Sequence, residues 1–412
     1  MRLLPTRLIE TLAPARLGRS FRFLLAASTI DNAGDGIVLA AGPLLVASLT
    51  KDPFLVSLAL FAETTPFLVF GLFGGVAADR FDRRRMVILA NLARVALFAL
   101  LVASIVTNVV SIGFVLVILF AIGTAEVMAD SASSTLLPSI VERADLGIAN
   151  ARSSASMLLT NQLLFPPVGA FLFAVDRIVP FATNAIAVLA SAILVARVVT
   201  PVRDERPRRS SVVADLKEGL SWLMAHPPMR TLTLTILTFN ITYGAAWSVL
   251  VLYATQRLGM DAVGFGLITT AIAVGGVIGT ASYARLERRF HLGDIMRVGL
   301  VIETVTHLVL ALTTSALVAL AMLVVFGAHA FVWGTTSTVV RQRSVPDEVM
   351  GRVGGVYRVA IQGGIVIGTP IGGLVATAAG ITGPFWFAFV GSAILVAVLW
   401  REFPKIAHDA EV

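Results

Sequence analysis

Apolar residues run along this chain in blocks of twenty or more, and polar and charged positions gather in short clusters between them. One cluster, Asp79–Arg85, packs six charges into seven positions directly after an almost uncharged block. A helix that crosses a bilayer needs about 20 apolar residues, and the pattern predicts twelve of them, at roughly 21–49, 54–78, 86–108, 111–137, 147–175, 178–199, 230–256, 262–284, 292–313, 315–340, 349–378 and 381–400. Several are longer than the minimum, which tilt accommodates. The first block is too long for a cleaved signal peptide, and it follows an amphipathic basic arm, residues 1–20. The predicted fold class is an all-α membrane protein.

Composition agrees with the pattern. The 412 residues are 57% hydrophobic and 14% charged, against about 25% charged in soluble domains. With no cysteine, disulfides and thiolate metal sites are excluded. The net charge of +7 would suggest a nucleic-acid partner in a soluble protein. Here its placement carries the information, and no nucleic acid is expected. With a cytoplasmic N-terminus, 29 of the 32 Lys and Arg fall on inward ends and loops, and only Lys51, Arg177 and Arg257 fall outside. That asymmetry places both termini in the cytoplasm and makes Asp79–Arg85 a cytoplasmic turn. Arg94 enters this count as an arginine that snorkels to the inner interface.

One connection is long and polar. Residues 200–229 hold Pro201, Pro207, Pro227 and Pro228, and between them Val213, Leu216, Leu220 and Leu223 recur at spacings of three and four. This predicts an amphipathic helix on the cytoplasmic membrane surface, with Ser211 as its N-cap. The linker divides the chain into a bundle at 21–199, a second at 230–400 and a cytoplasmic tail at 401–412. The halves look duplicated. Gly71, Gly75, Gly147 and Gly169 recur as Gly275, Gly279, Gly351 and Gly373, each 204 residues on. Small residues at such places permit close helix packing.

Six helices, a central loop, six more helices and the run Gly75, Asp79, Arg80, Arg83, Arg84 resemble the major facilitator superfamily. The second copy of that run has Tyr283 in the acidic position and keeps Arg285, Arg288 and Arg289. The stretches "DNAGDG", "LLPSIVERADLGIANA" and "SVPDEVMGRVGGVYR" resemble the branch of bacterial drug, macrolide and siderophore exporters. The resemblance implies two six-helix bundles related by a pseudo-two-fold axis, which rock about a central cavity lined by helices 1, 4, 7 and 10. It implies a monomer in the bacterial inner membrane, powered by the proton gradient with no cofactor. It also implies a cytoplasmic gate in which Asp79 meets the N-terminal end of helix 11 and Arg83 clips the loop. Pro166, Pro167 and Gly169 fit the exporters' helix 5 motif loosely, with Phe165 in place of a leading glycine. Proline removes a backbone hydrogen bond and kinks a helix, so this segment is either a hinge or a static kink.

Charges at bilayer depth are costly and mark function. Asp31 and Asp35 lie four apart on helix 1, Glu126 and Asp130 four apart on helix 4, and Glu63 on helix 2. Asp31, Asp35, Glu126 and Asp130 are the candidate proton-coupling and cavity residues. Glu303 and His307 share a face of helix 9 and are expected to pair, and His329 on helix 10 is expected to hydrogen-bond between helices. Asn240, Tyr243, Trp247 and Trp333 are candidate substrate contacts, since aromatic faces hold lipophilic cations. Neither a Walker loop nor metal-ligand spacing appears, so an enzyme, an ATP-driven pump and a metal site are not expected. Three functions remain: proton-coupled efflux of a lipophilic cationic or zwitterionic small molecule, export of a siderophore or other secreted metabolite, and a membrane sensor that transports nothing.

Overall fold

The structure, a computed structural model, describes residues 14–200 and 212–403; the side chains of 15, 72 and 74–80 lie outside the description. Helices account for the regular structure, with no strand among the described residues. In chain order, helix 1 is Gly18–Leu49, helix 2 Pro53–Arg80, helix 3 Arg83–Val106 and helix 4 Ile112–Ile140. Helix 5 is composite: Leu146–Met157, a π-helical stretch Leu158–Leu164, then Phe165–Val175. Helix 6 is Val179–Val195, and a surface helix, Val212–Ala225, precedes helix 7, Pro227–Trp247. Helix 7 bends by 43° into Leu250–Arg257. Helices 8 to 12 are Ala262–Arg289, Leu292–Leu312, Ala316–Ser344, Asp347–Ala379 and Gly383–Leu399.

Among the described residues, nine helices are long and apolar enough to cross a membrane, ten with the bent helix 7. Helices 6 and 12 are shorter apolar helices of 17 residues. Side-chain caps begin several of them. Asp82 accepts from the Arg85 amide at 2.8 Å, Ser111 from Phe114 at 3.3 Å and Asp261 from Gly264 at 2.7 Å, each satisfying an otherwise unpaired amide.

Two compact units result, one of Met1–Leu45 with Val69–Arg209, the other of Val46–Leu68 with Ser210–Val412. The first part of helix 2 thus packs with the second unit. A Cβ added at Gly373 of helix 11 would lie 2.2 Å from Ser57 Oγ.

Close backbone approach organises both units. In the first, a Cβ at Gly169 would fall 2.1 Å from the Ile37 carbonyl oxygen. In the second, Gly368 and Gly372 of helix 11 meet the Ile241 and Ala245 carbonyls of helix 7, and Gly275 and Gly279 meet Val324 and Ala328 of helix 10. The expectation of close packing therefore holds for Gly169, Gly275, Gly279 and Gly373. It fails for Gly71, Gly147 and Gly351, which have open space where a Cβ would stand. Their recurrence at one offset does not reflect packing.

Gly169→Val is accordingly expected to lower folded yield several-fold and to reduce the melting temperature in detergent, since overpacking costs about 1–3 kcal/mol. Gly71→Ala, with nothing within 4 Å, serves as the control and should melt like wild type. Equal melting of both variants would refute the packing assignment.

The surface helix is present over Val212–Ala225; its expected N-cap, Ser211, lies outside the described residues. Leu223 is buried, and Gly219 sits against the Arg352 backbone of helix 11. Arg352 Nη1 donates to Glu218 at 2.7 Å, and its Nε to Asp215 at 3.4 Å. Val213, Leu220 and Met224 remain about half exposed, as an apolar stripe suited to a lipid interface.

Candidate substrate and proton site

The two acids of helix 1 do not stand alone. Helix 3 carries Arg94 eleven residues from its start, hence about 16 Å along its axis. Arg94 is fully buried and points at helix 1. Its Nη1 donates to both oxygens of Asp31, at 3.2 and 3.1 Å, and its Nη2 donates to Asp35. The snorkelling reading of Arg94 is thus corrected. A snorkelling side chain needs a path to the interface, whereas this guanidinium ends on two carboxylates inside the unit. Asn91, one turn back, accepts from Nη1 at 3.5 Å and donates to Ser191 of helix 6 at 3.3 Å.

Glu126 and Asp130 of helix 4 lie within electrostatic reach of the same guanidinium. Asp130 is exposed yet feels Asp31, Asp35 and Arg94, which places it at the mouth of this cluster. Of the four candidate acids, Asp31 and Asp35 meet on this guanidinium, and Glu126 and Asp130 lie within its electrostatic reach. Glu63 of helix 2 forms no ion pair among the described residues.

Glycines bring the neighbouring helices close. At Gly34 a Cβ would lie 2.0 Å from the Asn184 side-chain oxygen, so the glycine admits a buried amide from helix 6 beside Asp35. At Gly36 a Cβ would lie 2.7 and 2.8 Å from the Thr160 and Asn161 carbonyl oxygens, in the π-helical part of helix 5. Such π segments widen a helix locally and occur often at functional sites. Pro166 and Pro167 follow immediately, where their missing amides coincide with the end of the π stretch. Thr29 and Ser156 hydroxyls meet at 2.7 Å on the same helix 1–helix 5 contact.

A fold of this kind has counterparts among known proteins. The sequence profile described as "transmembrane secretion effector" matches residues 9–410. The chain belongs to that family, within the major facilitator superfamily. It is 26% identical over 399 residues to a protein named multidrug efflux pump Tap from Mycolicibacterium fortuitum, covering 93% of this chain and 95% of that one. It is 23% identical over 406 residues to a protein named enterobactin exporter EntS from Salmonella choleraesuis (strain SC-B67), covering 94% and 95%. Among solved structures, the nucleoside transporter NupG matches with a TM-score of 0.75 at 10% identity, covering 94% of this chain and 100% of that one. A bacterial homologue of the iron transporter ferroportin, in an inward-facing state, matches at 0.71 and 18% identity, covering 94% and 98%. The protein is a multi-pass membrane transporter and not an enzyme.

Other residues of the family resemblance fall into place unevenly. The side chains of Gly75, Asp79 and Arg80 lie outside the described residues. Arg83 donates to the Thr135 carbonyl of helix 4 at 2.8 Å, and Arg84 donates to the Ala196 carbonyl at the end of helix 6. Both cations thus bind backbone carbonyls near helix C-termini, where positive charge is favoured. In the second unit, Tyr243 and Trp247 stack at 4.4 Å between ring centroids, and Phe326 of helix 10 lies 4.8 Å from Trp247. Asn240 instead donates to the Ile236 carbonyl of its own helix and packs against Gly364. Trp333 is apart from the stacked pair, against Gly299 of helix 9.

Sequence reasoning missed Arg94 as the centre of the acid cluster. Its depth was the available signal: Asp31 lies about 20 Å into helix 1, and Arg94 about 16 Å into helix 3, so both sit far from the helix ends.

Proposed function

We propose that the protein exports lipophilic cationic or zwitterionic small molecules from the cytoplasm in exchange for protons. The carrying observation is a charge imbalance: Asp31 and Asp35 share one guanidinium, that of Arg94, and Asp130 lies within electrostatic reach of all three. Two ionised carboxylates sharing one cation leave a net negative charge, which is unfavourable at this depth. The site therefore takes up positive charge, as protons or as an organic cation, and the two compete. Such competition under alternating access is sufficient for antiport. The relative named as a multidrug efflux pump supports this reading. The relative named as an enterobactin exporter supports export of a siderophore or other secreted metabolite, which the acid surplus favours less, because it repels an anionic chelator.

In this reading the bent helix 7 and the two 17-residue helices complete twelve crossings, since 17 residues approach the thickness of the hydrocarbon core. Both termini are cytoplasmic, the protein works as a monomer in the bacterial inner membrane, and the proton gradient is its energy source. In proteoliposomes, wild type is expected to accumulate tetraphenylphosphonium against its gradient only when a pH difference is imposed. Equal accumulation without a pH difference, or transport of an anionic iron chelator and of no cation, would sink the reading.

A further inference from the structure

Helix 9 carries Glu303 and His307 one turn apart, and helix 10 brings His329 against them. Glu303 Oε2 lies 3.3 Å from His329 Nε2, and Oε1 lies 3.9 Å from His307 Nε2. The expected Glu303–His307 pair is therefore a group of three, with the tighter contact across helices. The side chains of His307 and His329 are 0% and 3% exposed. His329 Nδ1 and both ring nitrogens of His307 find no hydrogen-bond partner among the described residues. Buried polar atoms are seldom left this way without a proton, water or ligand to account for them.

The aromatic group of helices 7 and 10 adjoins this cluster. Trp247 meets His307 edge to face at 6.1 Å, and Phe326 meets His329 in the same way at 5.8 Å. Tyr243 lies within electrostatic reach of Glu303 and stacks on Trp247. Tyr243 and Trp247 are partly exposed, so their rings are accessible.

We propose that the second half holds its own cation site, in which the Tyr243, Trp247 and Phe326 rings bind an organic cation against the Glu303 carboxylate, and protons on His307 and His329 dismiss it. The proposal rests on the reading above that the substrate is an organic cation. Aromatic faces attract cations, more strongly where water is excluded, and the carboxylate supplies the counter-charge. With both imidazoles neutral the cluster carries −1. One proton brings it to zero and a second to +1. Imidazole is the side chain whose ordinary titration falls between pH 5 and 8. Tyr243 is the titratable group of helix 7 that faces Glu303. Helix 12 contains none, and helix 8 keeps Tyr283, Arg285, Glu287, Arg288 and Arg289 in its last turns and Asp261 at its first.

The test uses the full-length protein with Trp222, Trp333, Trp386 and Trp400 replaced by phenylalanine, leaving Trp247 as reporter. Trp222 must go because it stacks on His226 at 3.7 Å and would report that histidine instead. Without any substrate, Trp247 fluorescence is expected to be quenched as pH falls from 8.5 to 5. The transition should be lost in His307→Gln and displaced in Glu303→Gln. In a second arm, tetraphenylphosphonium binding is measured at pH 8 and pH 5.5 in an Asp35→Asn background, which weakens the first-half site. Binding is expected to weaken at least about tenfold at low pH, because a unit charge some 6 Å away acts strongly at low dielectric. This dependence should disappear in His307→Gln with His329→Gln. A fluorescence transition that survives His307→Gln overturns the proton site, whatever the substrate. Unchanged pH dependence of binding in the double histidine variant overturns the switch. Absence of tetraphenylphosphonium binding at both pH values, with the fluorescence transition intact, overturns the cation half; wild-type uphill transport of the same cation tests the export reading separately.

Discussion

Arg94→Met is expected to reach the membrane in much reduced amount and to melt far below wild type once solubilised. The side chain is 0% exposed and holds Asp31 and Asp35 through separate nitrogens. Methionine fills similar volume but takes the cation away from Asp31 and Asp35. Removing one partner of a buried ion pair costs about 3–5 kcal/mol, because the remaining charge stays desolvated. Arg94→Lys keeps the charge but not the planar fork that spans both carboxylates, so it should restore part of the yield and little of the transport. Adding Asp31→Asn to Arg94→Met removes one stranded charge and should recover part of the lost stability. Size-exclusion profiles and thermal unfolding in detergent measure all three. At this chain length 1 kcal/mol shifts melting by only about 1 °C, so an Arg94→Met melting temperature indistinguishable from that of wild type would mean that the buried pairings contribute nothing.

The helices were legible in the sequence because lipid imposes a length and forbids charge. The predicted block 292–313 became Leu292–Leu312, and 262–284 became Ala262–Arg289. The longer end of helix 8 shows the limit of the method: hydropathy stops at the first charges, whereas backbone hydrogen bonding continues through Arg285, Arg288 and Arg289. The π stretch Leu158–Leu164 and the bend before Leu250 were not legible. Both depend on how backbone carbonyls are shared with neighbours, and Gly36 against Thr160 and Asn161 is such a neighbour.

The site was half legible. Spacing alone put Asp31 and Asp35 on one face, and cost alone marked them as functional. Their partner lies 63 and 59 positions away on another helix, and no periodicity connects residues across helices. Counting Arg94 among the inward charges concealed it, since a side-based count does not use depth. The expected interhelical hydrogen bond of His329 is present, but its partner Glu303, 26 positions away, could not be named from periodicity. Within helices the sequence was informative, and between helices it was not.

Asp35→Asn is expected to fold, to bind an organic cation weakly and to lose uphill transport driven by a pH difference. Folding survives because Arg94 keeps Asp31 on its other nitrogen. Coupling fails because an amide of the same shape neither holds nor releases a proton, so proton and substrate no longer compete there. Asp31→Asn should behave alike if the two acids titrate as a pair around Arg94. The double variant differs from either. With both acids neutral, the buried guanidinium loses the two carboxylates it is shown to pair with. Its failure should therefore appear first in assembly, and the single variants carry the mechanistic information. The measurement is efflux of a fluorescent cation against its gradient, with and without an imposed pH difference, at matched protein levels. Uphill rates should fall at least about tenfold, or 1.4 kcal/mol, while downhill exchange persists. If both single variants pump uphill at wild-type rates, helix 1 does not couple transport to protons, and Glu126, the helix 4 acid near Asp35 and Arg94, takes its place.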